Sequence, residues 1–148
     1  MLLFVDLILK EVFRQGREYK WPRPRCCPRC NHYMVWGHGF VDRCFDTFHK
    51  TLLMKRYRCP QCRCVITCRP SSHFSHIQAP KKQIRHSICG RIEKGRWAPG
   101  FSSSRQRYWI ANLKRKARAY LSDCWDRGLL CAYDFLLGQG HIPVSSTI

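Results

Sequence analysis

Acidic residues are scarce in this sequence, with 9 Asp and Glu against 27 Lys and Arg in 148 residues, a formal charge of +18. So few carboxylates leave no pair at a recognisable general acid–base spacing, and neither a Ser/His/Asp arrangement nor a phosphate-cradling glycine loop is present. The chain therefore reads as a binding protein and not as an enzyme. Long apolar runs are also missing. The N-terminal stretch Met1 to Glu11 is interrupted by Asp6, Lys10 and Glu11, falls short of the about 20 apolar residues that span a bilayer, and has neither the basic start nor the small-residue cleavage site of a signal peptide. The expectation is a cytoplasmic protein, nucleoid-associated if bacterial, with no membrane partner. Low-complexity tracts are absent, and nothing repeats except one four-residue cysteine motif.

Cysteine, by contrast, is plentiful, with 11 in the chain. In a reducing compartment such a count points to thiolate ligands more than to disulfides. Cys27-Pro28-Arg29-Cys30 and Cys59-Pro60-Gln61-Cys62 are two copies of one device, in which a two-residue gap lets both thiolates of a tight turn face one metal. Together, Cys27, Cys30, Cys59 and Cys62 form a four-thiolate set that suits one structural Zn²⁺ and leaves no open position for catalysis. An iron–sulfur centre fits this spacing less well, and a redox dithiol lacks its βαβ surroundings. Cys26 is an alternative to Cys27, but the proline after Cys27 matches the second copy. Cys64 and Cys68, with Cys44, His49 or His73, are candidates for a second site. Cys89, Cys124 and Cys131 fall on expected helices and are read as core.

The pattern along the chain implies an α+β protein. It consists of a small four-cysteine zinc-ribbon β-hairpin unit, a basic helix-turn-helix-like segment after it, and an amphipathic helix at each terminus. Val5, Ile8, Leu9, Val12 and Phe13 follow helical spacing, so residues 2–15 are expected to be helical, with Gly16 as the stop and a basic linker over 17–25. Strands are expected over 33–36, 40–44, 51–58 and 65–67. Ile84, Ile88 and Ile92 predict a helix from Pro80 to near Gly95. A glycine-bearing turn leads to a second helix from an N-cap at Ser104 to Leu121, and a third is expected over 123–137, weakened by Gly128. The expected divisions are residues 1–24, 25–72, 73–121 and 122–148.

Positive charge concentrates between Lys81 and Tyr120, where twelve Lys and Arg face a single acid, Glu93, a net of +11. An ordinary solvated helix would carry Glu beside its Lys, so this excess points to a polyanion, with double-stranded DNA the leading partner. If the second helix enters the major groove, Arg105 and Arg107 suit guanine, Gln106 and Asn112 suit adenine, and Lys114, Arg115, Lys116 and Arg118 suit phosphates. Ribbon cations interleaved with Tyr33, Trp36, Phe40 and Tyr57 leave RNA or single-stranded binding as an alternative. A purely structural or protein-binding role, or a homodimer through the apolar stripes of the terminal helices, is the other reading.

The order of Cys27-Pro28-Arg29-Cys30, a Gly37-His38-Gly39 hairpin, Lys55-Arg56-Tyr57-Arg58-Cys59-Pro60-Gln61-Cys62 and a basic helix pair resembles the zinc-ribbon head of insertion-sequence transposases and short stand-alone proteins related to them. The resemblance covers about residues 25–120. It implies Cys27, Cys30, Cys59 and Cys62 as zinc ligands and a DNA-binding role of mobile-element or regulatory type. Such transposases also carry a domain with three metal-binding carboxylates, for which the 28 residues after Tyr120, with only Asp123, Asp126 and Asp134, leave no room. The residue after each knuckle is often Gly in such ribbons; here Asn31 and Arg63 stand there, and Arg63 predicts a less regular second knuckle.

Overall fold

A computed structural model describes residues 1–147 and divides the chain into two compact units, Met1–Pro80 and Lys81–Ile148. The first is built on a four-stranded sheet of order β1-β4-β3-β2, from β1 (Leu2–Val5), β2 (Trp36–Arg43), β3 (Leu52–Arg58) and β4 (Val65–Pro70). The β2–β3 and β3–β4 pairs are antiparallel, while β1 runs parallel to β4 with Leu3 opposite Cys68. A bulge between Gly37 and Phe40 interrupts the β2 register, where Gly39 takes φ 72°. A side chain disfavours that backbone, and glycine supplies it without cost from a Cβ.

Alternation along β3 gives the sheet two different faces. Leu52 and Met54 bury themselves with Val12 and Phe45 on one side; Tyr57 joins Val35, Ile66, Cys68, Cys27 and Cys59 on the other. At the end of that second cluster lie the two cysteine turns. The first precedes β2, and the second is the connection between β3 and β4.

The N-terminal segment departs from the helix expected over 2–15. Leu2–Val5 instead completes the hydrogen-bonding row of β4, with Thr67 N donating to the Met1 carbonyl at 2.9 Å and Ser71 N to that of Val5 at 2.9 Å. Leu2, Leu3 and Phe4 lay outside the helical spacing, and a neighbouring strand with free backbone groups captures them. The helical pattern survives only in α1 (Leu9–Gln15), which ends at Gly16 as expected and puts Val12 into the core. Gly16–Glu18 then forms one 3₁₀ turn. Residues 1–24 are therefore part of the sheet unit.

The second unit holds α2 (Lys81–Lys94), α3 (Ser103–Leu121) and α4 (Gly128–Gly138). Ile84 and Ile88 of α2, Trp109, Leu113 and Ala117 of α3, and Ala132, Tyr133 and Leu136 of α4 are buried. Ile92, the third member of the predicted stripe, stays exposed. Arg85 on α2 donates two hydrogen bonds to the Asp134 carboxylate on α4, at 2.8 and 2.6 Å. These hold the Asp134 carboxyl below its ordinary range.

The boundaries shift for local reasons. Ser102, not Ser104, is the N-cap of α3, its Oγ accepting from Arg105 N at 3.3 Å. Helix α4 begins five residues later than the spacing predicts, because Gly128 takes φ 79°, a left-handed backbone that interrupts any helix running through it. The apolar stripes expected to offer an outward face are used inside their own units. Ile8 and Phe13 on the N-terminal side, and Phe135 and Leu137 on α4, remain exposed.

Candidate metal centre and basic surface

The sulfur atoms of Cys27, Cys30, Cys59 and Cys62 all lie within 4.8 Å of one another, with Cys27 to Cys62 at 3.6 Å and Cys30 to Cys59 at 3.5 Å. Tetrahedral ligation with metal–sulfur bonds of about 2.3 Å requires sulfur–sulfur edges of about 3.8 Å, so the four residues fit one metal ion as they stand. Each turn is held by the same backbone bond. Cys27 N donates to the His32 carbonyl at 2.9 Å, and Cys59 N to that of Cys64 at 3.0 Å.

The expected irregularity of the second knuckle does not occur. Asn31 and Arg63 both take φ 58°. The turn geometry that aims two thiols at one point outweighs the about 1–2 kcal/mol that a left-handed backbone costs an arginine. Arg63 keeps its side chain in solvent.

The four thiols also shift one another's ionisation in opposite directions. Burial pushes the Cys27 thiol up, but N–H donors from Cys30 and Arg29 and the thiols of Cys62 and Cys30 more than offset it and bring it down to about 6. At Cys62 the Cys64 N–H pulls down, yet burial and the other three cysteines push the thiol up to about 12. Four thiolates this close repel one another, and a bound divalent cation removes that conflict.

Among the described residues, this is the group that comes together as metal ligands. The alternative ligand Cys26 is not part of it, and Cys44, Cys64 and Cys68 do not assemble with a histidine. Cys44 is exposed, and Cys68 is buried in the core with its thiol pushed up to about 11 by that burial. His49 lies edge-on to Phe13 at 5.5 Å, and His73 edge-on to Phe45 at 4.9 Å. Cys124 and Cys131, read as core, are exposed, because the chain turns ahead of Gly128 and α4 faces inward through Ala132 and Tyr133.

Helix α3 sorts seven of the eight residues read as nucleic-acid contacts into two sets and leaves Arg105 between them. Arg107, Lys114, Arg115 and Arg118 are exposed with Tyr108 on a face that carries no acid. Lys114 and Arg118 also line a groove with Trp125 and Leu129. Arg105 is half-buried, its guanidinium over the rings of Phe101 at 5.4 Å and Trp109 at 5.2 Å.

Gln106, Asn112 and Lys116 are corrected by the structure, since all three point inward. Gln106 is 0 % exposed; its Oε1 accepts from Ser87 Oγ and from Ala98 N at 2.9 Å, while its Nε2 donates to the carbonyls of Ala98 at 3.0 Å and Phe101 at 2.9 Å. Asn112 Nδ2 donates to the Val144 carbonyl at 3.2 Å, and Lys116 Nζ to the Ile142 carbonyl and to Ser145 Oγ, both at 2.7 Å. These polar groups tie the C-terminal tail to α3 and close the α2–α3 turn. Sequence could not separate them from the outward set, because a polar residue is read as exposed until a buried partner for it is known.

Replacing Gln106 with Ala is expected to destabilise the chain by about 3 kcal/mol, since several buried partners lose their hydrogen bonds at about 1–3 kcal/mol each. Denaturant unfolding measures it. Arg107→Ala, on the exposed face, is expected to change stability by less than about 0.5 kcal/mol in the same assay.

A contact that the sequence reading missed joins the α2–α3 turn to this surface. Trp97 lies under the Arg91 guanidinium at 4.4 Å, with that of Arg107 at 5.9 Å. A tryptophan inside a basic turn was the available signal. None of the helices is long and apolar enough to cross a membrane, among the described residues. Comparison with protein-family models, with curated proteins and with solved structures gives no match.

Proposed function

We propose that this chain is a zinc-stabilised nucleic-acid-binding protein that grips duplex DNA through the exposed face of α3. The observation that carries the reading is that face itself: Arg107, Lys114 and Arg118 at i, i+7 and i+11, flanked by Tyr108 and Arg115, on a helix with no acidic residue. Nine acids can neutralise at most nine of the 27 cations, so most of the charge is left for a partner. Polyanions with closely spaced phosphates are the partner such a surface attracts. A helix of this width enters the major groove, and the order α2, turn, α3 supports a helix-turn-helix-like use of α3, with a turn longer than the usual three or four residues.

Zinc is the metal we assign to Cys27, Cys30, Cys59 and Cys62. Four thiolates in a closed tetrahedron suit Zn²⁺, which would neutralise them and hold the two turns together without an open coordination position. The resemblance to the ribbon of insertion-sequence transposases supports a mobile-element or regulatory setting, with the protein acting as a binding module.

A salt titration tests this, using full-length protein whose metal content has been counted. Expected are one zinc per chain and duplex affinity that falls linearly with the logarithm of salt concentration, with a slope of about −0.9 per phosphate contacted. A flat salt dependence, or no duplex binding, would refute the reading.

A further inference from the structure

We propose that a groove beside the first cysteine turn, in the Met1–Pro80 unit, binds unpaired bases of single-stranded nucleic acid, a site separate from the α3 face. This rests on the nucleic-acid reading above and adds a second ligand form to it. Four aromatic residues interleave with the cations of this unit, and the structure separates them. Tyr57 is core, its hydroxyl donating to the Pro22 carbonyl at 3.2 Å, and Phe40 lies beneath the Lys55 ammonium at 4.4 Å. Tyr33 and Trp36 instead stand in solvent, 82 % and 57 % exposed, with Met34 between them also exposed. Single exposed apolar residues are ordinary, but three within four positions make a patch that calls for a partner.

Tyr33 and Met34 of this patch line a groove of about 470 Å³ with Arg23, Pro24, Arg25 and Val35, and Trp36 follows Val35 directly in the chain. The groove is built before any ligand arrives. Val35 is anchored in the cluster around the metal centre, and its carbonyl accepts both Nε and Nη2 of Arg23. Prolines on either side of Arg23 stiffen the opposite wall. No acid occurs between Tyr19 and Val41, a stretch that carries Lys20, Arg23, Arg25 and Arg29; Arg58, the register partner of Trp36 on β3, is exposed as well.

This chemistry favours unpaired bases over a duplex. Cations alone serve any phosphate backbone, but a flat ring gains from a base only when its face is free, and a duplex hides those faces in its stack. Every base has such a face, so the site is tolerant of sequence and accepts DNA or RNA single strands.

The test uses full-length, zinc-loaded protein with labelled oligo-dT, oligo-rU and a duplex of equal length, comparing wild type with Tyr33→Ala, Trp36→Ala, the double variant and Trp36→Phe. Both side chains are exposed, so zinc content and melting are expected to stay at wild-type values. Each alanine is expected to weaken single-strand binding roughly tenfold and the pair roughly a hundredfold, with duplex affinity within about twofold, the single-strand salt slope unchanged, and Trp36→Phe retaining most of the binding. Loss on oligo-dT and oligo-rU alike supports a site for unpaired bases of either sugar; loss on one of them alone supports the site and assigns its sugar. Unchanged single-strand binding by a folded, zinc-loaded double variant would overturn the proposal, as would equal losses on single strand and duplex. If wild type binds duplex in the salt-dependent way above but no single strand, this proposal falls alone; if it binds no nucleic acid, both fall.

Discussion

With zinc held as proposed above, Cys59→Ser is expected to release it and unfold the Met1–Pro80 unit while the three helices beyond Pro80 persist. Cys59 is fully buried, sits 3.5 Å from Cys30 through its sulfur, and opens the turn that joins β3 to β4. A serine there removes one of the four clustered sulfurs and leaves three thiols, of which Cys27 is buried, Cys62 half-buried and Cys30 exposed. Small metal-centred units draw on the order of 10 kcal/mol of folding free energy from a structural zinc, about as much as a domain's whole stability. The core that would remain, chiefly Val35, Tyr57 and Ile66 on one face and Val12, Phe45, Leu52 and Met54 on the other, is small for a unit of this length. Amide hydrogen exchange on the full chain distinguishes the units: protection should disappear over β2, β3 and β4 and stay in α2, α3 and α4. Cys44→Ser, at an exposed cysteine outside the cluster, should leave metal content and protection unchanged. A Cys59→Ser protein that keeps its zinc and its sheet would remove Cys59 from the ligand set.

The second large effect concerns α3. Arg107→Ala, Lys114→Ala and Arg118→Ala combined are expected to lower the salt slope of duplex binding by about 2.7 and the affinity at about 0.1 M salt by roughly 500-fold, if each contacts one phosphate. All three side chains are exposed, so denaturant unfolding should change little. That separation between binding and stability makes the triple variant informative. Gln106→Ala should behave in the opposite way, losing stability first. A triple variant with the wild-type slope would overturn the proposed use of this helix for DNA.

How much of this was legible in the sequence varies with how local the governing physics is. The clustering of Cys27, Cys30, Cys59 and Cys62 was legible, because two Cys-Pro-x-Cys turns carry their geometry in a few bonds, whereas the left-handed backbone of Arg63 was not, since residue preference alone argues against it. The stop at Gly16 and the body of α2 followed from local signals as well. By contrast, helical spacing predicts a helix over 2–15 where Leu2–Val5 forms a strand, since nothing near Leu2–Val5 announces that β4, far along the chain, has a free edge. The polar residues of α3 form one set by sequence, because helical spacing alone cannot tell which of two polar faces has partners waiting for it. Gln106 finds its partners in the α2–α3 turn, and Asn112 and Lys116 find theirs in the distant C-terminal tail.

Sequence by itself determined the charge of +18, the cysteine pairs with their capacity for one metal, and the order of a cysteine-turn β unit before a basic helical one. These depend on composition and on turns and periodicities a few residues long, where backbone preferences and side-chain spacing decide the outcome. Tertiary structure alone decided that Leu2–Val5 is a strand, that Gln106, Asn112 and Lys116 face inward while Arg107, Lys114 and Arg118 face water, and that Tyr33 and Trp36 stay exposed where Tyr57 is core. Burial is a property of what packs against a residue, and those neighbours come from distant parts of the chain.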